Sequence, residues 1–282
     1  MVMGGSAIVA APAIALATCN ASSKKTQKLK GNIRHSVCRW TFSQLSVEQL
    51  CATVKEIGFA AIDLVGPKDW ETLKKHGVDS SMCNGFEISL TEGWNDKQYH
   101  ATLVKNYLDG ISQVSKAGYK NLICFSGNAK GMDRETGLKN AAEGLKQIMG
   151  AAEKAGVVIQ MELLNSKIDH KDYMCDHTAW GVELAKRIGS PNFKLLYDIY
   201  HMQIDEGDVI RTIRDNHQYL GHYHTAGVPG RHEIDESQEL FYPAIMRAIK
   251  DTGFKGYVAQ EFRPVKEDKT ASLREAIRIC DI

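Results

Sequence analysis

The stretch "KAGVVIQMELLN", Lys154 to Asn165, changes character at its third residue. Glu135–Ala155 upstream carries helical spacing. Gly156 then supplies the left-handed conformation that ends a helix and turns the chain. Val157–Leu163 follows as a short apolar run of strand length, and it carries Glu162 near its end. The same order of events recurs in "EIGFAAIDL" (residues 56–64), "KAGYKNLICF" (116–125) and "DTGFKGYVAQE" (251–261). Helix, glycine, buried strand is the unit from which this chain is built.

Working outward from that unit gives strands at Ile33–Arg39, Ala61–Val65, Ser80–Asn84, Asn121–Ser126, Val157–Leu163, Phe193–Asp198, Tyr219–His224 and Gly256–Phe262. Helical segments follow them: Val47–Ile57, Asp69–His76, Lys97–Ala117, Glu135–Ala155, His177–Ile188, Val209–Arg214, Glu239–Asp251 and Ala271–Ile279. Strict alternation requires a parallel sheet, because each crossover between parallel strands needs a helix. Eight such units over about 250 residues predict an α/β fold, a single (β/α)8 TIM barrel. An open doubly wound sheet would need a glycine-rich turn after its first strand, and "VCRWTFSQ" (residues 37–44) has none. Residues 31–282 read as one catalytic barrel domain.

In such a barrel the active site lies where the strands end. Strand five ends in Glu162, strand six in Asp198, strand seven in His224 and strand eight in Glu261. Strands one to four end in Trp40, Val65, Asn84 and Ser126, which add no ligand cluster. A single carboxylate at a strand end is ordinarily a cap or a surface acid. Three carboxylates close together on consecutive strands would repel one another and be costly to bury without a partner, and an imidazole joins them. One divalent metal ion (Mn2+, Mg2+, Co2+ or Zn2+) suits that mixture of oxygen and nitrogen donors. His201, in the loop expected after strand six, would reach toward what the metal holds.

"YDIYHMQIDEGD" (197–208), "HTAGVPGRHEID" (224–235) and the late "QEF" (260–262) resemble the hydroxypyruvate isomerase family. That family lies within the xylose isomerase-like barrel group, which also includes the ketose 3-epimerases. By position, the resemblance implies metal ligation by Glu162, Asp198, His224 and Glu261. It implies substrate contacts from His201 and Arg231. At the third ligand this chain has His224, as in the sugar epimerases, where the hydroxypyruvate isomerases carry glutamine. The implied activity is isomerisation of a small hydroxy-carbonyl compound through an enediolate, with Glu162 and Glu261 moving the proton. A ketose 3-epimerase and a non-catalytic exported sugar-binding protein are the alternatives. His222 shares strand parity with His224 and reads as a hydrogen-bonded support one layer below. Arg231 has a competing reading as a surface partner of Glu233 or Asp235. His232 reads as exposed, and Trp40, Phe86 and Trp94 as pocket wall or core.

Among 282 residues, 43% are hydrophobic and 24% charged, with a net charge of +1. Without a basic face, no nucleic-acid partner is expected; the expected partner is a small hydroxy-carbonyl or sugar substrate. Six of the seven cysteines are scattered without zinc-type spacing, so no disulfide framework is expected. Residues 1–30 read as a separate segment. Ala7 to Thr18 is apolar, too short to span a membrane, and followed by Cys19, which resembles a lipoprotein processing site. This predicts an exported protein, periplasmic or anchored through a lipid on Cys19. The alternative is a cytoplasmic protein.

Overall fold

The computed structural model describes Met1 and residues 29–282. Eight parallel strands form one sheet among the described residues: β1 (Arg34–Cys38), β2 (Ala61–Asp63), β3 (Asp79–Ser80), β4 (Asn121–Cys124), β5 (Val158–Glu162), β6 (Phe193–Asp198), β7 (Leu220–Thr225) and β8 (Tyr257–Gln260). Their order across the sheet is β3-β2-β1-β8-β7-β6-β5-β4, so the first and last strands pair in the middle. The sheet is curled and flanked by helices. Past β3, Cys83 makes an isolated parallel bridge to Leu122 on β4. Its N–H donates to the Asn121 carbonyl at 2.9 Å, and its carbonyl accepts from Ile123 N–H at 3.0 Å.

The helices are α1 (Val47–Ile57), α2 (Pro67–His76), α3 (His100–Ala117), α4 (Arg134–Ala155), α5 (Thr178–Ile188), α6 (Ile199–Asp205), α7 (Val209–Asn216), α8 (Tyr242–Asp251) and α9 (Lys269–Cys280). Their starts are written in the sequence. Ser46 accepts from Gln49 N–H while the Gln49 side chain accepts from Ser46 N–H, which closes a capping box on α1. At the far end of α4, Gly156 has φ +67° and turns the chain into β5. Gly181 lets α5 lie close on the sheet: a Cβ there would come within 2.9 Å of the Leu195 side chain. The helices turn apolar stripes inward, as α1 does with Leu50, Val54 and Ile57.

Three local expectations change. The second strand stops at Asp63 rather than Val65, because Leu64 adopts a left-handed φ of +55°. The third strand shrinks to Asp79–Ser80, where the Ser80 hydroxyl donates to the Met82 carbonyl and the chain leaves the ladder. His201 sits on α6, a short helix, not in a loop. The six described cysteines are all free and buried.

The expectation of export with a membrane anchor is corrected here. Among the described residues, no helix is long and apolar enough to cross a membrane. The run from Ala7 to Cys19 on which that expectation rested lies outside the described residues.

Candidate active site

Adjacent strands deliver the four expected ligand residues to one place. Asp198 and His224 are register partners across β6 and β7. Glu162 closes β5. Glu261 lies one residue past β8, where its N–H still donates to the Thr225 carbonyl at 2.8 Å. One donor atom from each of Glu162, Asp198, His224 and Glu261 lies within 4.8 Å of the others, and all four residues are buried.

His224 Nδ1 is the centre of this group. It is 3.1 Å from Glu162 Oε1 and 2.8 Å from Glu261 Oε2. Asp198 is oriented by α6, whose first turn gives it the N–H groups of Tyr200 (2.8 Å) and His201 (3.3 Å) at Oδ1. Its other oxygen, Oδ2, faces Arg231 Nη2 at 3.2 Å. The same Nη2 donates to Glu261 Oε2 at 2.5 Å.

Arg231 reaches the site from the loop between β7 and α8. It has φ +60°, its N–H donates to the Gly227 carbonyl at 2.9 Å, and its own carbonyl accepts from Arg263 N–H at 2.7 Å. The guanidinium lies 5.4 Å from the Trp40 ring and 5.2 Å from that of Tyr200, within cation–π range. It is therefore a buried part of the site and not a surface partner of Glu233 or Asp235. Glu233 instead accepts from the N–H groups of Val265 and Lys266 and from the Ser272 hydroxyl.

His201 is fully buried, with Nε2 at 3.0 Å from Arg231 Nη1 and Nδ1 at 2.6 Å from Asn165 Nδ2. Asn165 is itself held by two backbone donors, Ile168 N–H and Asp169 N–H, on Oδ1. The Tyr200 hydroxyl donates to Asp169 Oδ2 at 2.8 Å, which ties this loop to α6.

Buried charge governs the titration of the group. Burial pushes Asp198 up to about 8, with Glu261 and Glu162 adding to it while Arg231 and His224 oppose. Burial also raises Glu162, against its hydrogen bond to His224. For Glu261 the burial penalty is outweighed by Arg231 and His224, which hold the carboxyl well below its usual range. His224 is raised, its burial overcome chiefly by Glu261. His201 is lowered by burial and by Arg231. Three acids thus share two cationic neighbours and compete for them. A set of carboxylate oxygens and one imidazole nitrogen converging in this way fits a single divalent cation.

The expectations at the early strands were incomplete. Asp63, at the end of β2, is fully buried, with Oδ1 at 3.0 Å from His224 Nε2 and Oδ2 at 2.9 Å from His222 Nε2. Its signal was the same one that marked Asp198, an apolar strand ending in a carboxylate. An apolar pattern that runs on through Leu64 to Val65 conceals that the strand ends at Asp63. Trp40 is partly exposed rather than core, with Nε1 donating to Glu261 Oε1 at 2.8 Å. Trp94 and Phe86 are core residues. His232 is half-buried, with Nδ1 at 3.1 Å from the Arg263 carbonyl oxygen.

The fold and the residues at its strand ends define a class, and comparison with known proteins agrees. Residues 51–281 match the family of the xylose isomerase-like TIM barrel, and the chain belongs to that family. It is 33% identical to a putative hydroxypyruvate isomerase of Drosophila melanogaster over 229 residues, 78% of this chain and 86% of that protein. It is 35% identical to a 2-oxo-tetronate isomerase of Cupriavidus necator over 122 residues, 43% of this chain and 46% of that protein. With several of its curated relatives the chain thus matches less than half of their length. Among solved structures it resembles an AP endonuclease, family 2, from Brucella melitensis. That match has a TM-score of 0.73 and 25% identity, and covers 87% of this chain and 96% of the other.

Proposed function

We propose that this chain is a divalent-metal-dependent isomerase acting on a small hydroxy-carbonyl compound of the hydroxypyruvate type. We read residues 31–282 as its catalytic domain, and the curled sheet as a closed (β/α)8 barrel joined through the Cys83–Leu122 bridge. The observation that carries the reading is the convergence of Glu162 and Glu261 on His224 Nδ1, with Asp198 beside them.

Glu162, Asp198, His224 and Glu261 would hold the cation. When bound, it supplies Lewis-acid stabilisation of the negative charge that develops on a substrate oxygen. The residues of the chain do the rest. Glu162 and Glu261 approach from either side of His224, from β5 and from just past β8. One takes the proton from the carbon alpha to the carbonyl, and a proton is delivered at the neighbouring carbon to complete the aldose–ketose exchange. Arg231 and His201 meet at 3.0 Å above Asp198 and grip the substrate's oxygens. A carboxylate is the group that the planar guanidinium fits best. The names of the Drosophila and Cupriavidus relatives, hydroxypyruvate isomerase and 2-oxo-tetronate isomerase, support a 2-oxo acid at this position.

The second reading is a ketose 3-epimerase, favoured by histidine at position 224. It uses the same residues, with the proton returned to the opposite face of one carbon. An endonuclease, suggested by the name of the Brucella structure, has less support, since a net charge of +1 provides no broad phosphate-binding face. The test is a substrate panel of hydroxypyruvate, 2-oxo-tetronate and free ketoses, run after chelation and re-addition of each divalent metal. Turnover of a 2-oxo acid that chelator abolishes supports the proposal. Turnover of ketoses alone supports the epimerase. Tight binding without turnover of any compound supports a sugar-binding protein.

A further inference from the structure

We infer that Asp63 is the residue that orients His224 for metal binding, acting as the outer partner of a carboxylate–histidine–metal relay. The inference rests on the metal site proposed above and extends it to a strand that supplies none of the four ligands.

The geometry runs through one imidazole. His224 Nδ1 points at Glu162 and Glu261, and Nε2 points the other way, 3.0 Å from Asp63 Oδ1. An ionised carboxylate only accepts hydrogen bonds. Nε2 must therefore carry a hydrogen toward Asp63. In the metal-free chain Nδ1 carries one toward Glu162 and Glu261 as well, and it is this Nδ1 hydrogen that a cation held by the glutamates would displace, while Asp63 keeps the one on Nε2. A histidine that ligates a metal through one nitrogen ordinarily has the other fixed in this way by a carboxylate or carbonyl.

Asp63 is itself restrained. Its Oδ2 accepts from the Ser81 hydroxyl. His222 Nε2 lies 2.9 Å from Oδ2 at ion-pair distance, although off the line of a hydrogen bond. Cys38 Sγ is 3.6 Å from Oδ1. Asp63, His222 and His224 are each wholly buried, so water does not compete for these contacts. His222 and His224 share one face of β7, and the carboxylate bridges their two rings from β2. His222 thus supports the site through Asp63 rather than by direct contact with the ion.

Asp63, His222 and His224 also have the composition of a second metal site, and the experiment separates the two assignments. Chelator-stripped chain is titrated with Mn2+ by calorimetry, for the parent, Asp63→Ala and Asp63→Asn. The expected result is one ion per chain in all three. Affinity should fall by roughly 10–100-fold in Asp63→Ala. It should fall less in Asp63→Asn, whose amide oxygen still accepts from Nε2. A loss of packing alone would lower the melting temperature without that order of affinities. If Asp63→Ala does not fold, nitrogen-15 histidine spectra of the parent loaded with Zn2+ carry the test. His224 should then hold hydrogen on Nε2 and metal on Nδ1. Two ions per chain, affinity in Asp63→Ala within about twofold of the parent, or hydrogen on Nδ1 overturns the inference. A parent chain that binds no divalent metal overturns the metal site itself, which is a separate outcome.

Discussion

The indole Nε1 of Trp40 donates to Oε1 of Glu261 across 2.8 Å, so the segment after the first strand fixes a carboxylate beyond the last. The two strands are neighbours in the sheet, although 221 residues separate the side chains. The contact leaves Glu261 Oε2 for His224 and Arg231. Removing a hydrogen bond to a charged group costs about 1.5–3 kcal/mol. Trp40→Phe keeps an aromatic ring near Arg231 but loses the donor together with the five-membered ring that carries it. It should lower kcat by about tenfold or more while leaving the fold intact. Steady-state kinetics beside a thermal melt check this, and an unchanged kcat would remove Trp40 from the site.

Glu261 provides the sharper separation of chemistry from binding. Glutamine preserves a ligating oxygen but cannot accept a proton as a carboxylate does. Glu261→Gln should retain one metal per chain, more weakly held, and lose about 10²–10⁴-fold in turnover. Solvent-deuterium incorporation into the substrate should fall with it. Near-parental turnover in this variant, on a substrate the parent converts, would falsify the proton-transfer role.

Arg231→Ala should behave differently. The guanidinium now neutralises Asp198 and Glu261, which are both expected to hold the metal. Its removal takes away a positive charge that opposes a divalent cation, so metal affinity should not fall. Substrate binding should suffer: KM for a 2-oxo acid should rise by roughly 10–100-fold, more than for a neutral ketose, because a charge-assisted contact is lost. Equal effects on both substrates would argue against a carboxylate at this position.

These residues differ in how visible they were in the sequence. Glu162, Asp198, His224 and Glu261 announced themselves because each interrupts an apolar strand at its carboxyl end, and β5 to β8 are long enough for that end to be read. β2 and β3 are three and two residues long, and there the apolar pattern runs on into turns. Asp63 was hidden for that reason: a left-handed Leu64, which no side-chain pattern encodes, decides where its strand stops. Helix α6 was hidden for another reason. "IYHMQID" is too short for helical periodicity to register, and the helix starts because Asp198 caps it. Trp40 was ambiguous because an aromatic side chain serves a core and a pocket equally well, and only its hydrogen bond to Glu261 distinguishes the two.

The last prediction concerns the opposite end of the strands, away from the candidate site. His35 on β1 is buried, and both ring nitrogens lack a hydrogen-bond partner. Asp281 Oδ1 is 3.8 Å from Nε2, too far for a hydrogen bond, and that carboxylate is engaged by Lys30 N–H. Burial therefore dominates the attraction to Asp281 and lowers the imidazole from 6.5 to about 4. The sign follows from proton binding. Between pH 6.5 and about 4 the unfolded chain takes up a proton on His35 that the folded chain refuses. The stability associated with the neutral ring is fully present above pH 6.5 and is lost as pH falls toward 4. A gap of this size corresponds to roughly 3 kcal/mol. Denaturant unfolding of the metal-free protein at a series of pH values reads it directly. His35→Phe removes the titrating group and retains an aromatic ring beside Phe59, which His35 meets edge-on at 6.4 Å. Its stability should fall less steeply than the parent's over this interval, by about the same 3 kcal/mol. Parallel curves for the two proteins would mean that the His35 ring titrates alike in the folded and unfolded chains.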